Sequence, residues 1–199
     1  MRYPISVQDF ETIINGDYVY VDKTDLVYDL TKEHVCFLSR PRRFGKSMTM
    51  NMVSAYYDRT VESSLFARTK ISKTDNYAKH RGAYDVLFIN MQNFLSKTKT
   101  MEDLLRLLES RVGRELVYAY PDIDFFDKNS LAYLLEDIYS VTKRKFVILI
   151  DEWDCIFREE KNHLQEQKIY LYFLRDLLKD NPCIALTYMT GIKKKKKYG

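Results

Sequence analysis

The chain has 199 residues, 46% of them apolar and 30% charged, a balance that fits one α/β domain with a packed core and excludes a disordered chain. The net charge of +4 is misleading: a single block, Lys193 to Lys197, supplies it, and the near-neutral remainder excludes the broad basic face of a DNA-binding domain. No apolar stretch approaches the roughly 20 residues of a membrane span, and Met1-Arg2-Tyr3-Pro4 leads into no apolar signal core.

Residues 1–33 read as a flanking segment. Tyr18-Val19-Tyr20-Val21 alternates weakly and suggests a short strand. Asp22-Lys23-Thr24 then reads as a turn and helix start, with a helix over Asp25 to Thr31 that presents Leu26, Val27 and Leu30. Val35 to Leu38 is short and wholly apolar, as expected of a strand covered on both faces. Beyond the loop that follows, Met48, Met52 and Tyr56 recur at helical spacing and predict a helix over Lys46 to Asp58. Thr60 to Ala83 is polar and carries no clear period; Leu65, Phe66 and Ile71 are its anchors to the body. Val86 to Ile89 is a second buried strand. Thr100-Met101-Glu102-Asp103 resembles a capping box and opens a helix with Leu104, Leu108, Val112 and Leu116 on one face. Leu131, Leu134, Leu135, Ile138 and Val141 mark another helix. Phe146 to Ile150 is the strongest strand, continuous and β-branched. A helix over about Asn162 to Lys179 follows, stopped by Asn181-Pro182, and Cys183 to Thr190 is the last strand. Strands alternating with helices imply βαβ units and a parallel sheet.

Two segments carry chemistry. Ser39-Arg40-Pro41-Arg42-Arg43-Phe44-Gly45-Lys46-Ser47 follows the first strand and opens a helix, the arrangement of a phosphate-binding loop. Amides at a helix N-terminus hold phosphate oxygens, helped by the dipole. On this reading Arg42, Arg43, Phe44, Gly45, Lys46, Ser47 and Met48 bind nucleotide. Lys46 reaches the β/γ-phosphates and Ser47 takes a Mg²⁺ ligand position. The standard pattern has Gly where Arg40 stands. The second segment is Asp151-Glu152 at the end of Phe146–Ile150, the Walker B arrangement. In a parallel sheet both segments share the edge where ligands bind. Asp151 is then a metal residue with Ser47, and Glu152 polarises an attacking water. Each part has an ordinary alternative: a helix start for Lys46-Ser47, a polar loop for Asp151-Glu152. In this order and context the two together favour nucleotide binding.

Thr190, at the end of the last strand, reads equally as a hydrogen-bond donor to the attacking water or γ-phosphate and as an ordinary strand-end threonine. Arg42 and Arg43 contact phosphates or an acidic partner, or face solvent. Trp153 and Asp154 flank the site, Asp154 either supporting the site residues from behind or in a structural part. The histidines are scattered. Cys36, Cys155 and Cys183 show no metal spacing, so no metal cluster is expected, and their pattern suits a reducing cytoplasm.

The strings Tyr18–Thr24, Leu38–Ser47, Leu149–Asp154 and Thr190-Gly191 resemble the bacterial AAA-ATPase-like family, over about residues 5–191. Arg occupies the position of Arg40 in that family's pattern. The resemblance implies an α/β P-loop NTPase three-layer sandwich with a mainly parallel sheet, of the type with an additional catalytic glutamate. In it the Thr190 strand lies between the first strand and the Walker B strand. The core is then 34–192 and 193–199 a lysine-rich tail. A fifth strand and lid are expected to be missing, as in a chain truncated after the fourth core strand, which leaves the first strand at an open edge.

Three functions stand open: ATP binding with Mg²⁺-dependent hydrolysis, in which Glu152, Lys46 and Thr190 are catalytic; a nucleotide-binding switch without turnover; and a nucleic-acid adaptor that uses the tail. The expected ligands are ATP and Mg²⁺. A protein or nucleic-acid partner is not identifiable from the residues, and no membrane partner is expected.

Overall fold

The computed structural model describes residues 7, 9–30, 32, 35–39, 45–158 and 164–192. Arg42, Arg43, Phe44, the start of the last helix at Asn162 and the tail over 193–199 lie outside them.

The four apolar runs form β1 (Val35–Ser39), β2 (Asp85–Asn90), β3 (Phe146–Asp151) and β4 (Ile184–Gly191). They pair in parallel, in the order β1-β4-β3-β2. The last strand therefore inserts between the first strand and the acidic one. All six residues of β3 are buried, which explains its continuous apolar sequence: a central parallel strand has helices on both sides. Side chains along it alternate between two cores. Phe146, Ile148 and Ile150 pack with helices α5 (Met91–Leu95), α6 (Met101–Ala119), α7 (Leu131–Thr142) and α8 (Leu164–Leu178). Val147 and Leu149 pack with α3 (Lys46–Tyr57) and with the short helices α1 (Phe10–Asn15) and α2 (Asp25–Leu30). The result is a mixed α/β sandwich on an all-parallel sheet, consistent with a P-loop NTPase-like fold without a fifth strand among the described residues.

Local chemistry accounts for the helix ends. Thr100 Oγ1 accepts from the Asp103 amide at 3.1 Å and starts α6, as its sequence predicts. α7 ends at Lys143, whose φ of 57° is left-handed, the usual helix-stopping geometry. Two single-turn 3₁₀ helices (Ser63–Phe66 and Lys70–Lys73) and α4 (Tyr77–His80) occupy the stretch without a clear period. Leu65, Phe66 and Ile71 are buried and hold it to the body. The turn at Asp22 is its second tether: the Asp22 carboxylate accepts from the amides of Thr24 (2.9 Å) and Lys70 (2.7 Å).

One strand expectation is corrected. Tyr18 makes only an isolated bridge, and 19–23 are irregular. Tyr20 packs against the body through its side chain. The Tyr20 ring meets Phe10 edge-on at 5.5 Å, and its hydroxyl donates to Met52 Sδ at 3.4 Å. These contacts bind the segment to α1 and α3 in place of a sheet neighbour.

The expected open edge is present. β1 pairs with β4 alone among the described residues. Val35 and Phe37 are 43% and 51% exposed, so the expectation that this strand is covered on both faces is corrected: β1 is an edge strand of the described sheet and none of its residues is buried. Val35 and Phe37 border a groove of about 390 Å³ whose other walls include Trp153, Leu171, Leu174 and Met189. No helix among the described residues is long and apolar enough to cross a membrane.

Candidate functional site

The parallel sheet brings the ends of β1, β3 and β4 to one edge, and α3 starts there. Gly45 caps α3 with φ +72°, a backbone that suits glycine. Among the described residues, a side-chain carbon at Gly45 would meet nothing within 4 Å. The Gly45 carbonyl accepts from the Thr49 amide and hydroxyl, both at 2.9 Å, which fixes the first turn. Lys46, Ser47 and Met48 supply that turn. Its amides have no acceptor within the helix and face outward along the axis.

Lys46 is 7% exposed. Its ammonium donates to the Gly191 carbonyl at 3.3 Å, at the end of β4. It also lies 3.6 Å from Glu152 Oε1. The structure thus brings the lysine of one segment to the glutamate of the other, with the end of β4 between them. Asp151, the last residue of β3, is buried. Its Oδ1 accepts from the Thr190 hydroxyl and from the Glu152 amide, the latter at 2.9 Å. Thr190 is fully buried and turned to this carboxylate. Oδ2 of Asp151 accepts no hydrogen bond among the described residues.

Glu152 has φ +53°. A left-handed backbone costs a non-glycine residue about 1–2 kcal/mol, so neighbouring bonds must hold it. The Trp153 amide donates to the Thr190 carbonyl at 3.2 Å, and the Cys155 amide to the Glu152 carbonyl at 3.0 Å. The turn is pinned on both sides of the glutamate.

Behind it stands a residue that the motifs did not mark. Arg158 donates through Nη2 to Glu152 Oε2, and its Nε lies 3.5 Å from Asp154 Oδ1. Asp154 Oδ2 accepts from the Ile192 amide at 2.9 Å. Tyr170, fully buried on α8, donates to the Trp153 carbonyl at 3.0 Å. Burial pushes the Cys155 thiol up to about 12, so it stays a neutral packing group. Trp153 packs edge-on against Phe37 and Phe157, both at 5.6 Å. The signal for Arg158 in the sequence was faint: a single arginine four residues beyond Asp154, after the apolar Cys155-Ile156-Phe157.

Among the described residues, Glu152 lies between the cations Lys46 and Arg158, Asp154 faces Arg158, and Asp151 ends β3 next to them. Carboxylate and hydroxyl oxygens are hard donors of the kind that suits Mg²⁺. Mg²⁺ in phosphate sites needs one or two protein oxygens, with the rest supplied by phosphate and water, and Ser47 and Asp151 are residues of that type at this edge. Among the described residues no three His, Cys, Asp or Glu side chains converge as a metal site of their own.

A strand that leads toward a Gly-Lys-Ser helix start, an acidic pair closing a buried strand, and an all-parallel sheet with β4 inserted beside β1 define a P-loop NTPase-like domain. The chain matches the AAA-ATPase-like family, described as "Predicted AAA-ATPase", over residues 4–199, and it belongs to that family, as the resemblance of its motifs implied. It is also similar to an "Uncharacterized protein in vnfD 5'region" of Azotobacter chroococcum mcd 1, with 43% identity over 58 residues, or 28% of this chain. The matched segment spans 11% of that relative's length.

Proposed function

We infer that the chain binds ATP with Mg²⁺ and hydrolyses it at the edge formed by α3, β3 and β4. The observation that carries this is the 3.6 Å approach of the Lys46 ammonium to Glu152 across the end of β4. Lys46 and the first-turn amides of α3 bind the phosphates. Ser47 and Asp151 hold the metal, which when bound neutralises charge on the phosphoryl oxygens. Thr190, through its hydrogen bond, orients Asp151. Glu152 accepts a hydrogen bond from the attacking water and aligns it. On this reading Arg42, Arg43 and Phe44, which precede Gly45 in the sequence, bind phosphate as well. The family description supports the ATPase class; the assignment of roles rests on the residues.

A second reading is a nucleotide-binding switch without turnover. One observation favours it: both Glu152 oxygens face cations, Oε1 facing Lys46 and Oε2 facing Arg158. Mg-ATP titration and phosphate release on one sample separate the two. Hydrolysis predicts steady release that Glu152→Gln reduces by about 10²-fold or more with binding retained. Binding without release from the unaltered chain supports the switch and refutes hydrolysis.

A further inference from the structure

Glu152 has two tasks that conflict. In the structure its Oε1 neutralises Lys46, yet Lys46 is the group that must turn to phosphate. A lone carboxylate would either hold the lysine back or, once the lysine left, swing free in a left-handed turn. Arg158 resolves the conflict by geometry. It reaches Glu152 through the other oxygen, Oε2. Its Nε lies 3.5 Å from Asp154 Oδ1, an ion-pair contact without a hydrogen bond between them, and the Asp154 carboxyl is 2% exposed and tied to the Ile192 amide at 2.9 Å. The Arg158 amide donates to the Cys155 carbonyl at 3.1 Å, which fixes the guanidinium's base. Its side chain is only 16% exposed, so water screens these contacts little. A planar guanidinium can face two carboxylates at once; an ammonium cannot do so with fixed direction.

We propose that Arg158 is the positioning residue for Glu152: facing Asp154 on its other side, it holds Oε2 so that Lys46 can leave Oε1 for phosphate and Oε1 stays aimed at water. This rests on the reading of Glu152 as the water-orienting group. Loss of Arg158 has two effects that a purely structural arginine would not produce together. Glu152, with one cation fewer, binds Lys46 more firmly, and phosphate must compete for the lysine. Glu152 is also less well directed once the lysine has moved.

The test is a double-mutant cycle with Arg158→Met and Glu152→Gln, read first by calorimetric binding of the Mg²⁺ complex of a non-hydrolysable β,γ-imido ATP analogue. Arg158→Met should weaken analogue binding about tenfold in the native background, within the range of coupling between contacting charged groups. In the Glu152→Gln background, which removes the carboxylate charge, the same change should alter binding by less than about twofold. Phosphate release by Arg158→Met should fall further than binding, and Arg158→Lys should recover part of both. Equal weakening in the two backgrounds, or none in either, overturns the proposal. Should Arg158→Met fail to fold, Arg158→Lys in the same cycle decides, because it keeps the charge but cannot span both carboxylates. Analogue binding without phosphate release by the unaltered chain refutes hydrolysis while the cycle still rules on Arg158. No analogue binding by the unaltered chain overturns both.

Discussion

Gly191 ends β4 between two side chains of the site, and adding one methyl there tests how tightly that end is built. A Cβ on Gly191 would lie 2.8 Å from both Cγ and Oδ1 of Asp154 and 2.9 Å from Trp153 Nε1. Relaxed contacts of this kind need about 3.5–4.0 Å, so neighbours must retreat by more than roughly half an ångström. Neither neighbour is the loose end of a long side chain. Asp154 is tied to the Ile192 amide at 2.9 Å and faces Arg158. Trp153 is bounded by Phe37 and Phe157, and its backbone is bonded to Thr190 and Tyr170. Overpacking costs about 1–3 kcal/mol, and a weakened bond to a carboxylate about 1.5–3. Allowing for partial relaxation, Gly191→Ala should lose about 2–4 kcal/mol, or about 5–15 °C in Tm for a chain of this size. The assay is thermal and urea unfolding by circular dichroism. Gly82→Ala is the control: its φ is +60°, but the nearest atom to an added Cβ is 3.7 Å away, so only backbone strain of about 1 kcal/mol is expected. A Tm for Gly191→Ala within about 2 °C of the unaltered protein, or no lower than that of Gly82→Ala, would refute this packing argument.

Thr100→Ala removes the cap that accepts from Asp103 and should cost about 1 kcal/mol, seen as a lower urea midpoint with unchanged slope. Tyr170→Phe leaves the Trp153 carbonyl without its buried donor; a loss of about 1–2 kcal/mol and a shift in the emission of Trp153 are expected. Asp85 accepts from Arg59 at 2.5 Å and from Arg144 at 3.2 Å. Burial raises its pKa, but these bonds outweigh burial and bring it below the ordinary carboxylate value. Its contribution is therefore fully present above about pH 4, the unfolded value, and is lost as pH falls through the lower folded value. Asp85→Asn should be less stable by about 1–2 kcal/mol at pH 7, the arginines being partly exposed to solvent. Unfolding curves of the two proteins should converge in acid; a constant difference down to about pH 2 would contradict the linkage.

The sheet was readable from the chain because a parallel strand reads as a short, unbroken apolar run, as Val35–Leu38, Val86–Ile89 and Phe146–Ile150 do; only the last is buried throughout, because the first two lie at the edges of the described sheet. α6 was readable from Thr100 and from the spacing of Leu104, Leu108, Val112 and Leu116. Lys46-Ser47 and Asp151-Glu152 stood out because each lies at a strand-linked turn with a known electrostatic use. Tyr18–Val21 misled. The weak alternation there does not match burial, since Tyr18, Val19 and Tyr20 are all half-buried and Val21 is exposed, and Tyr20 packs on Phe10 and Met52.

What the chain determined alone was local: which segments bury apolar side chains, where helices start, and which charged residues sit at strand ends. Tertiary structure decided the rest. Only the insertion of β4 beside β3 sets the Thr190 hydroxyl on Asp151 and the Gly191 carbonyl under Lys46. Only the 3₁₀ turn Cys155–Phe157 folds Arg158 back onto Glu152 and Asp154. Periodicity along a chain is fixed by each residue's nearest neighbours, whereas the pairing of charges depends on distances that exist only once the strands are ordered.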